Sequence, residues 1–92
     1  MLGTRIKELR KEFGLSQVEL AARMEVTKQT ISNWENENIQ PSIEMLVRIA
    51  KLFHVSTDYL LGLDDVQTIN VEGLPKPFVA HLTQIIADYK QK

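Results

Sequence analysis

Residues 15–36, LSQVELAARMEVTKQTISNWEN, decide the fold of this chain. Ser16 is a typical helix N-cap, and Glu19 three residues later completes the pattern of a capping box. Thr27 is the next N-cap, and a turn at residues 25–26 separates the two helices. The stretch therefore predicts two short helices joined by a tight turn.

The two helices are patterned so that they can pack against each other. A small residue, Ala21, stands where they would cross, and β-branched Ile31 faces inward from the second helix. The outward positions of the second helix are all polar, and none is a carboxylate: Lys28, Gln29, Thr30, Ser32 and Asn33. Lysine can reach guanine acceptors, and glutamine or asparagine can pair with adenine. The second helix is therefore a candidate for reading base edges in a DNA groove.

The flanking sequence predicts further helices. Apolar residues recur every three or four positions up to Gly14 and again after Ser42, which is a candidate N-cap. Ser56 is the N-cap of a short last helix, and Gly62 stops it. Residues 1–62 are therefore predicted to form an all-α domain of five helices.

The remainder of the chain changes character. Residues 63–75 are predicted to be an extended linker that can include a short strand around Ile69. Helical spacing returns in residues 76–92, with an apolar stripe formed by Phe78, Leu82, Ile85, Ile86 and Tyr89. A free helix of this length is marginal in water, so it is expected to dock on something. We expect a partner chain and hence a homodimer; the alternative is packing on the helix's own domain.

Composition excludes several classes of protein. The 92 residues include no cysteine, which rules out disulfides and thiolate metal sites. Charged residues begin at Arg5, and no apolar run approaches the roughly 18 residues of a spanning helix, so a cytoplasmic protein without a membrane segment is expected. The net charge is −1, so binding to nucleic acid must depend on where the charges are placed.

Several blocks of the chain resemble the Cro/CI-type (XRE-type) helix-turn-helix family of phage and bacterial repressors. The resemblance covers about residues 4–62 and rests on blocks in register: LSQVELA at 15–21, ISNWEN at 31–36, Pro41-Ser42, Leu46, Ile49-Ala50 and VSTDYLLG at 55–62. It implies a five-helix, lambda-repressor-like bundle whose third helix lies in the DNA major groove.

The resemblance also implies roles for individual residues. Three match base-reading positions: Lys28, Gln29 and Asn33. Four match positions that contact the DNA backbone: Gln17, Thr27, Thr30 and Asn36. Arg10 and Glu35 match an ion pair that ties the first helix to the end of the third.

Two acidic residues depart from the family pattern. Glu25 stands in the turn where the family usually has glycine, and a positive φ there would cost roughly 1 kcal/mol. Glu37 stands where an Asn-Gly pair would normally end the third helix. An acid near a phosphate is expected to lower the affinity for DNA or to raise its salt sensitivity. The fold is expected to tolerate both residues.

Catalysis is not expected. The only histidines, His54 and His81, lie on segments separated by the linker, and neither has a nucleophile beside it. There is no glycine-rich phosphate loop and no cluster of metal ligands, so no cofactor is expected.

The chain is predicted to be a sequence-specific transcriptional regulator, a repressor that binds a two-fold symmetric operator. The alternatives are an antitoxin or mobile-element immunity repressor with a protein partner, and an adaptor that does not bind DNA.

Overall fold

The computed structural model describes residues 1–64 and 71–91. Within these ranges the chain forms six α-helices and no strand: α1 Leu2–Glu12, α2 Gln17–Met24, α3 Lys28–Glu35, α4 Ile43–Phe53, α5 Thr57–Leu61 and α6 Lys76–Lys90. The predicted all-α class is confirmed. The strand considered around Ile69 lies outside the described residues.

The helices from α2 to α5 each begin at a hydroxyl side chain. Ser16 and Glu19 form the predicted capping box: the Ser16 hydroxyl accepts the Glu19 N–H at 3.1 Å, and the Glu19 carboxylate accepts the Ser16 N–H at 2.9 Å. Thr27, Ser42 and Ser56 cap the following three helices with the same bond to the N–H three residues on. Because each bond satisfies an N–H that the helix leaves without a partner, the helix starts are fixed by local sequence.

Left-handed backbone ends several of the helices. Glu25 has a φ of 58°, the conformation that the missing glycine suggested, and Glu37 and His54 have values of 60° and 56°. The first helix ends at Glu12, and Gly14, up to which the apolar spacing extends, lies in the following turn with a φ of 70°. These turns redirect the chain between α2 and α3, between α3 and α4, and between α4 and α5.

The core lies among the first five helices and contains Ile6, Leu9, Leu15, Leu20, Ala21, Met24, Ile31, Trp34, Ile49, Ala50, Phe53 and Leu60. Ala21 and Ile31 are both buried, as the packing of two adjoining helices requires. Trp34 is only 4% exposed and belongs to the core. Phe13 packs edge-on against Phe53, with the ring centroids 4.9 Å apart.

Gly3 lets α1 approach the end of α3 very closely. A Cβ atom at Gly3 would lie 2.4 Å from the carbonyl oxygen of Trp34 and 2.6 Å from that of Glu35. Real Cβ atoms do not come so near to backbone oxygens, so any other residue would force the two helices apart. The sequence reasoning did not single out this glycine.

The sixth helix buries none of its residues in this structure. Its N-cap is Pro75, and Pro77 lies in the first turn, which agrees with the predicted helix start. The apolar stripe is open: Phe78, Ile85, Ile86 and Tyr89 are exposed, and Leu82 is half-buried. No helix in the described residues is long and apolar enough to cross a bilayer.

Candidate nucleic-acid interface

The exposed side of α3 presents the three residues predicted to read bases. Lys28 and Gln29 are exposed and Asn33 is half-buried. The Gln29 side chain donates a hydrogen bond from Nε2 to Oδ1 of Asn33 at 3.1 Å, one helical turn away. This bond leaves Gln29 an acceptor oxygen and Asn33 an amide donor. The two amides thus lie side by side and can together offer the donor and acceptor that an adenine edge requires.

Hydroxyl and amide groups lie at the two ends of α3. Thr27 accepts the N–H of Thr30 at 3.1 Å, and the two hydroxyl oxygens lie 2.9 Å apart. At the other end, Asn36 donates from Nδ2 to the hydroxyl of Ser32 at 3.3 Å. The N-terminus of a helix favours anions because its free N–H groups point outward and because the positive end of the helix dipole lies there. The end with Thr27 can therefore hold a phosphate.

A buried ion pair joins α1 to the last residue of α3. Arg10 donates from Nε to Oε2 of Glu35 at 2.6 Å and from Nη2 to Oε1 at 3.1 Å. The same guanidinium donates from Nη1 to the Leu15 carbonyl at 2.9 Å. Arg10 and Glu35 are each only 8% exposed, and the hydrogen bond to Glu35 raises the pKa of Arg10 despite its burial. The pair expected from the resemblance is thus present as a two-point contact that fixes the orientation of α3.

The Glu35 carboxylate also holds Gln17 at the start of α2. Gln17 donates from Nε2 to Oε1 of Glu35 at 3.1 Å. This bond was not expected from the sequence, which treated Gln17 only as a phosphate contact. One carboxylate thus bonds with side chains of two other helices, Arg10 of α1 and Gln17 of α2. The side chain predicted to contact the DNA backbone is therefore held by the same carboxylate that orients α3.

The carboxylate of Glu37 lies against the N-terminus of α1. It accepts the N–H of Gly3 at 3.3 Å and forms an ion pair with the amino group of Met1. The hydrogen bond with the amino terminus, followed by that with Gly3, lowers the pKa of Glu37. The sequence predicts this acid to lie near a DNA phosphate. In the structure its carboxylate contacts Gly3 and Met1 of the same domain.

No group of three or more histidines, cysteines or acids is arranged to hold a metal ion within residues 1–64 and 71–91. The residues predicted to dimerise lie on the exposed stripe of α6 rather than on the surface of α3. The polar surface around α2 and α3 is thus the candidate site.

Comparison with known proteins gives matches over this same region. A family model described as helix-turn-helix matches residues 6–60. The transcriptional regulator ImmR of Bacillus subtilis is 34% identical over 87 residues, which are 95% of this chain and 68% of ImmR. Repressor protein C2 of Salmonella phage P22 is 35% identical over 68 residues, and the match covers 32% of that repressor.

Solved structures of transcriptional regulators also resemble this chain. The P22 c2 repressor in complex with a synthetic operator superposes with a TM-score of 0.65 and 34% identity, over 70% of this chain and 97% of that one. A chain of the complex of SinR with SinI has a TM-score of 0.63 and 29% identity, and the match covers 100% of this chain and 100% of that one.

Proposed function

This chain belongs to the helix-turn-helix family of transcriptional regulators, and we propose that it binds double-stranded DNA sequence-specifically and represses transcription at a two-fold symmetric operator. The observation that carries the proposal is the exposed polar face of α3, held by the buried Arg10–Glu35 pair. A rigid helix with such a face fits the major groove. The superposition on a repressor bound to its operator supports this docking.

The residue roles follow from position and hydrogen-bonding capacity. Base reading is proposed for Lys28, Gln29 and Asn33, because these side chains project from the exposed side of α3. Backbone contacts are proposed for Gln17, Thr27, Thr30 and Asn36, which lie at the ends of α2 and α3. Backbone contacts fix the register of a protein on DNA, whereas contacts with base edges select the sequence.

We propose three parts for the chain: a DNA-binding domain in residues 1–62, a linker in residues 63–75 and a dimerisation helix in residues 76–92. One recognition helix reads only a few base pairs, so an operator needs two copies about one helical turn apart. The exposed stripe of α6 supplies apolar area for that contact, with Tyr89 75% exposed.

A second candidate adds a protein partner to the same DNA-binding domain. The SinR–SinI complex matches the whole of this chain, α6 included, rather than the helix-turn-helix region alone. The open apolar stripe on α6 would suit a partner helix as well as a second copy. This candidate agrees with the antitoxin or immunity-repressor alternative, since either would keep α3 on DNA and use α6 for the partner.

The deciding experiment is site selection from a random duplex library with the full chain. The expected result is a motif with two-fold symmetry whose half-sites are centred about 10 base pairs apart. Binding of the selected duplex and of its shuffled version is then measured at two salt concentrations, since non-specific attraction weakens steeply with salt. Either the absence of an enriched motif or equal binding of the selected and shuffled duplexes would favour an adaptor that does not read DNA.

A further inference from the structure

The turn after α3 directs an acidic side chain back into the domain. Glu37 follows the helix end at Asn36 and adopts the left-handed conformation, with a φ of 60°. The turn is bonded to α3, since the N–H of Asn38 donates to the Asn33 carbonyl at 2.9 Å and that of Glu37 to Trp34 at 3.2 Å. A non-glycine residue pays a steric penalty in this conformation, and a favourable contact of its side chain can offset that penalty.

The Glu37 side chain makes such a contact at the start of α1. That helix begins at Leu2, its N-cap residue Met1 provides no side-chain cap, and its first turn has no acidic residue. Glu37 supplies both: its Oε1 accepts the N–H of Gly3 and contacts the Met1 amino group. The first N–H groups of a helix have no partner within the helix, and its N-terminus attracts negative charge. Glu37 therefore caps a helix that lies far before it in the sequence.

This cap gives α1 a second attachment to the end of α3. Gly3 and Arg10 lie seven residues apart on α1, which is about 10 Å along the helix axis. The first attachment joins Arg10 to Glu35, and the second joins Gly3 to Glu37. Gly3 permits the approach, since a Cβ there would lie 2.8 Å from Cγ of Glu37. Two contacts this far apart resist rotation of α3 relative to α1.

We propose that Glu37 is a positioning residue for DNA binding. Its carboxylate caps α1 and thereby holds the end of α3 and the turn at residues 36–38, instead of repelling phosphate. The inference rests on the proposed DNA-binding function, which it deepens. It explains how an acid is accommodated where the resemblance implies Asn-Gly.

Glu25 provides a matched control within the same chain. It is also an exposed glutamate in the left-handed conformation, and it lies in the turn just before α3, whereas Glu37 lies just after it. In the described part of the chain the Glu25 carboxylate forms no hydrogen bond or ion pair. Substitutions at the two sites therefore remove the same charge from the same backbone conformation, but only one of them removes a cap.

The experiment compares Glu37→Ala and Glu37→Gln with Glu25→Ala and Glu25→Gln in the full chain. Urea unfolding should show that Glu37→Ala lowers the folded-to-unfolded ratio by about three- to tenfold, the usual effect of a lost helix cap. Glu37→Gln should lose less, because its amide oxygen can still accept the Gly3 N–H. The Glu25 variants should stay within about twofold of wild type, as exposed positions usually do.

DNA binding is measured under conditions where every variant is fully folded, so that misfolding cannot lower it. Affinity for the selected duplex should fall about three- to tenfold in Glu37→Ala, which is near the low end of what a mismatched base pair costs. Affinity for a random duplex and the dependence on salt should not change. A merely structural residue would leave the ratio of specific to random binding as it was.

Three results would overturn the proposal. The first is an unchanged ratio of specific to random binding in Glu37→Ala, which would show a merely structural role. The second is tighter binding of both duplexes by the Glu37 variants, which would show that the carboxylate repels phosphate. The third is an unfolding midpoint for Glu37→Ala equal to that of Glu25→Ala, which would show that it caps nothing. If the wild-type chain selects no DNA site, the proposed function fails, and the unfolding comparison alone then decides whether Glu37 caps α1.

Discussion

Replacement of Glu35 by alanine is expected to remove most of the stability of the DNA-binding domain, because it leaves Arg10 buried without its carboxylate. Glu35 and Arg10 are each 8% exposed and share two hydrogen bonds, of 2.6 and 3.1 Å. Loss of one partner from a buried pair costs about 3–5 kcal/mol. Gln17 loses its bond to the same carboxylate, which adds about 1 kcal/mol. The expected loss is therefore about 4–6 kcal/mol, against roughly 3–9 kcal/mol for a domain of about 60 residues.

The assay is urea unfolding at neutral pH, followed by the fluorescence of Trp34, which is the only tryptophan and lies in the core. Glu12→Ala removes an exposed acid from α1 and should change the free energy of unfolding by less than about 0.5 kcal/mol. A double variant, Arg10→Met with Glu35→Leu, should recover much of the loss, because no buried charge then lacks a partner. DNA binding by the folded fraction of Glu35→Ala should also weaken, because α3 loses the contact that orients it and Gln17 loses its bond to the same carboxylate.

An unchanged midpoint for Glu35→Ala would refute the reasoning, since it would mean that Arg10 reaches water when its partner is removed. A double variant as unstable as Glu35→Ala would contradict the assignment of the cost to an unpaired buried charge. The cost would then come from lost packing or from Gln17 rather than from the unpaired guanidinium.

Four further predictions concern separate parts of the chain. Gln29→Ala should weaken binding to the selected duplex by about 1–3 kcal/mol and relax one base position per half-site, whereas Gln84→Ala, which alters an exposed glutamine of α6, should change neither in a competition assay; equal effects would argue against α3 as the reader. Gly3→Ala should lower stability by about 1–3 kcal/mol in urea unfolding, because its Cβ would meet a backbone oxygen at 2.4 Å; wild-type stability would show that the helices can separate freely. Hydrogen bonds with the N-cap of α2 lower the pKa of Glu19 from its ordinary 4.5, so its contribution is complete above that value and is lost as the pH falls through the lower folded pKa; the urea midpoint of Glu19→Gln should therefore fall less than that of wild type between about pH 5 and pH 3, and parallel curves would contradict the cap. Truncation after Asp65 should leave a helical domain that sediments as a monomer or weak dimer, keeps its half-site preference and loses operator affinity; an equally tight dimer would move the interface from α6 to α5.

The part of the fold that could be predicted from the sequence is the part specified over three or four residues. Four helices begin at a hydroxyl residue that bonds within the next turn: Ser16, Thr27, Ser42 and Ser56. The starts of these helices can therefore be predicted from the sequence. The amphipathic spacing of α6 likewise predicted a helix, but a stripe of apolar residues does not specify the surface that covers it.

Contacts between distant residues could not be predicted in the same way. The bond from Gln17 to Glu35 and that from Gly3 to Glu37 depend on which faces meet after folding. No local pattern marks such pairs, and Glu37 by itself resembled an unfavourable charge. The Arg10–Glu35 pair was anticipated only through the family resemblance. The roles on DNA remain predictions, because they depend on a partner molecule.

The cap on α1 has a consequence for the order in which the domain folds. The starts of α2 through α5 are bonded within their own first turns, so these helices can begin to form while the chain is still open. The first turn of α1 depends on Glu37 and so must wait until α3 and its following turn exist. The N-terminal turn of α1 is therefore expected to form after the transition state, so that a weakened cap would speed unfolding and leave the refolding rate nearly unchanged.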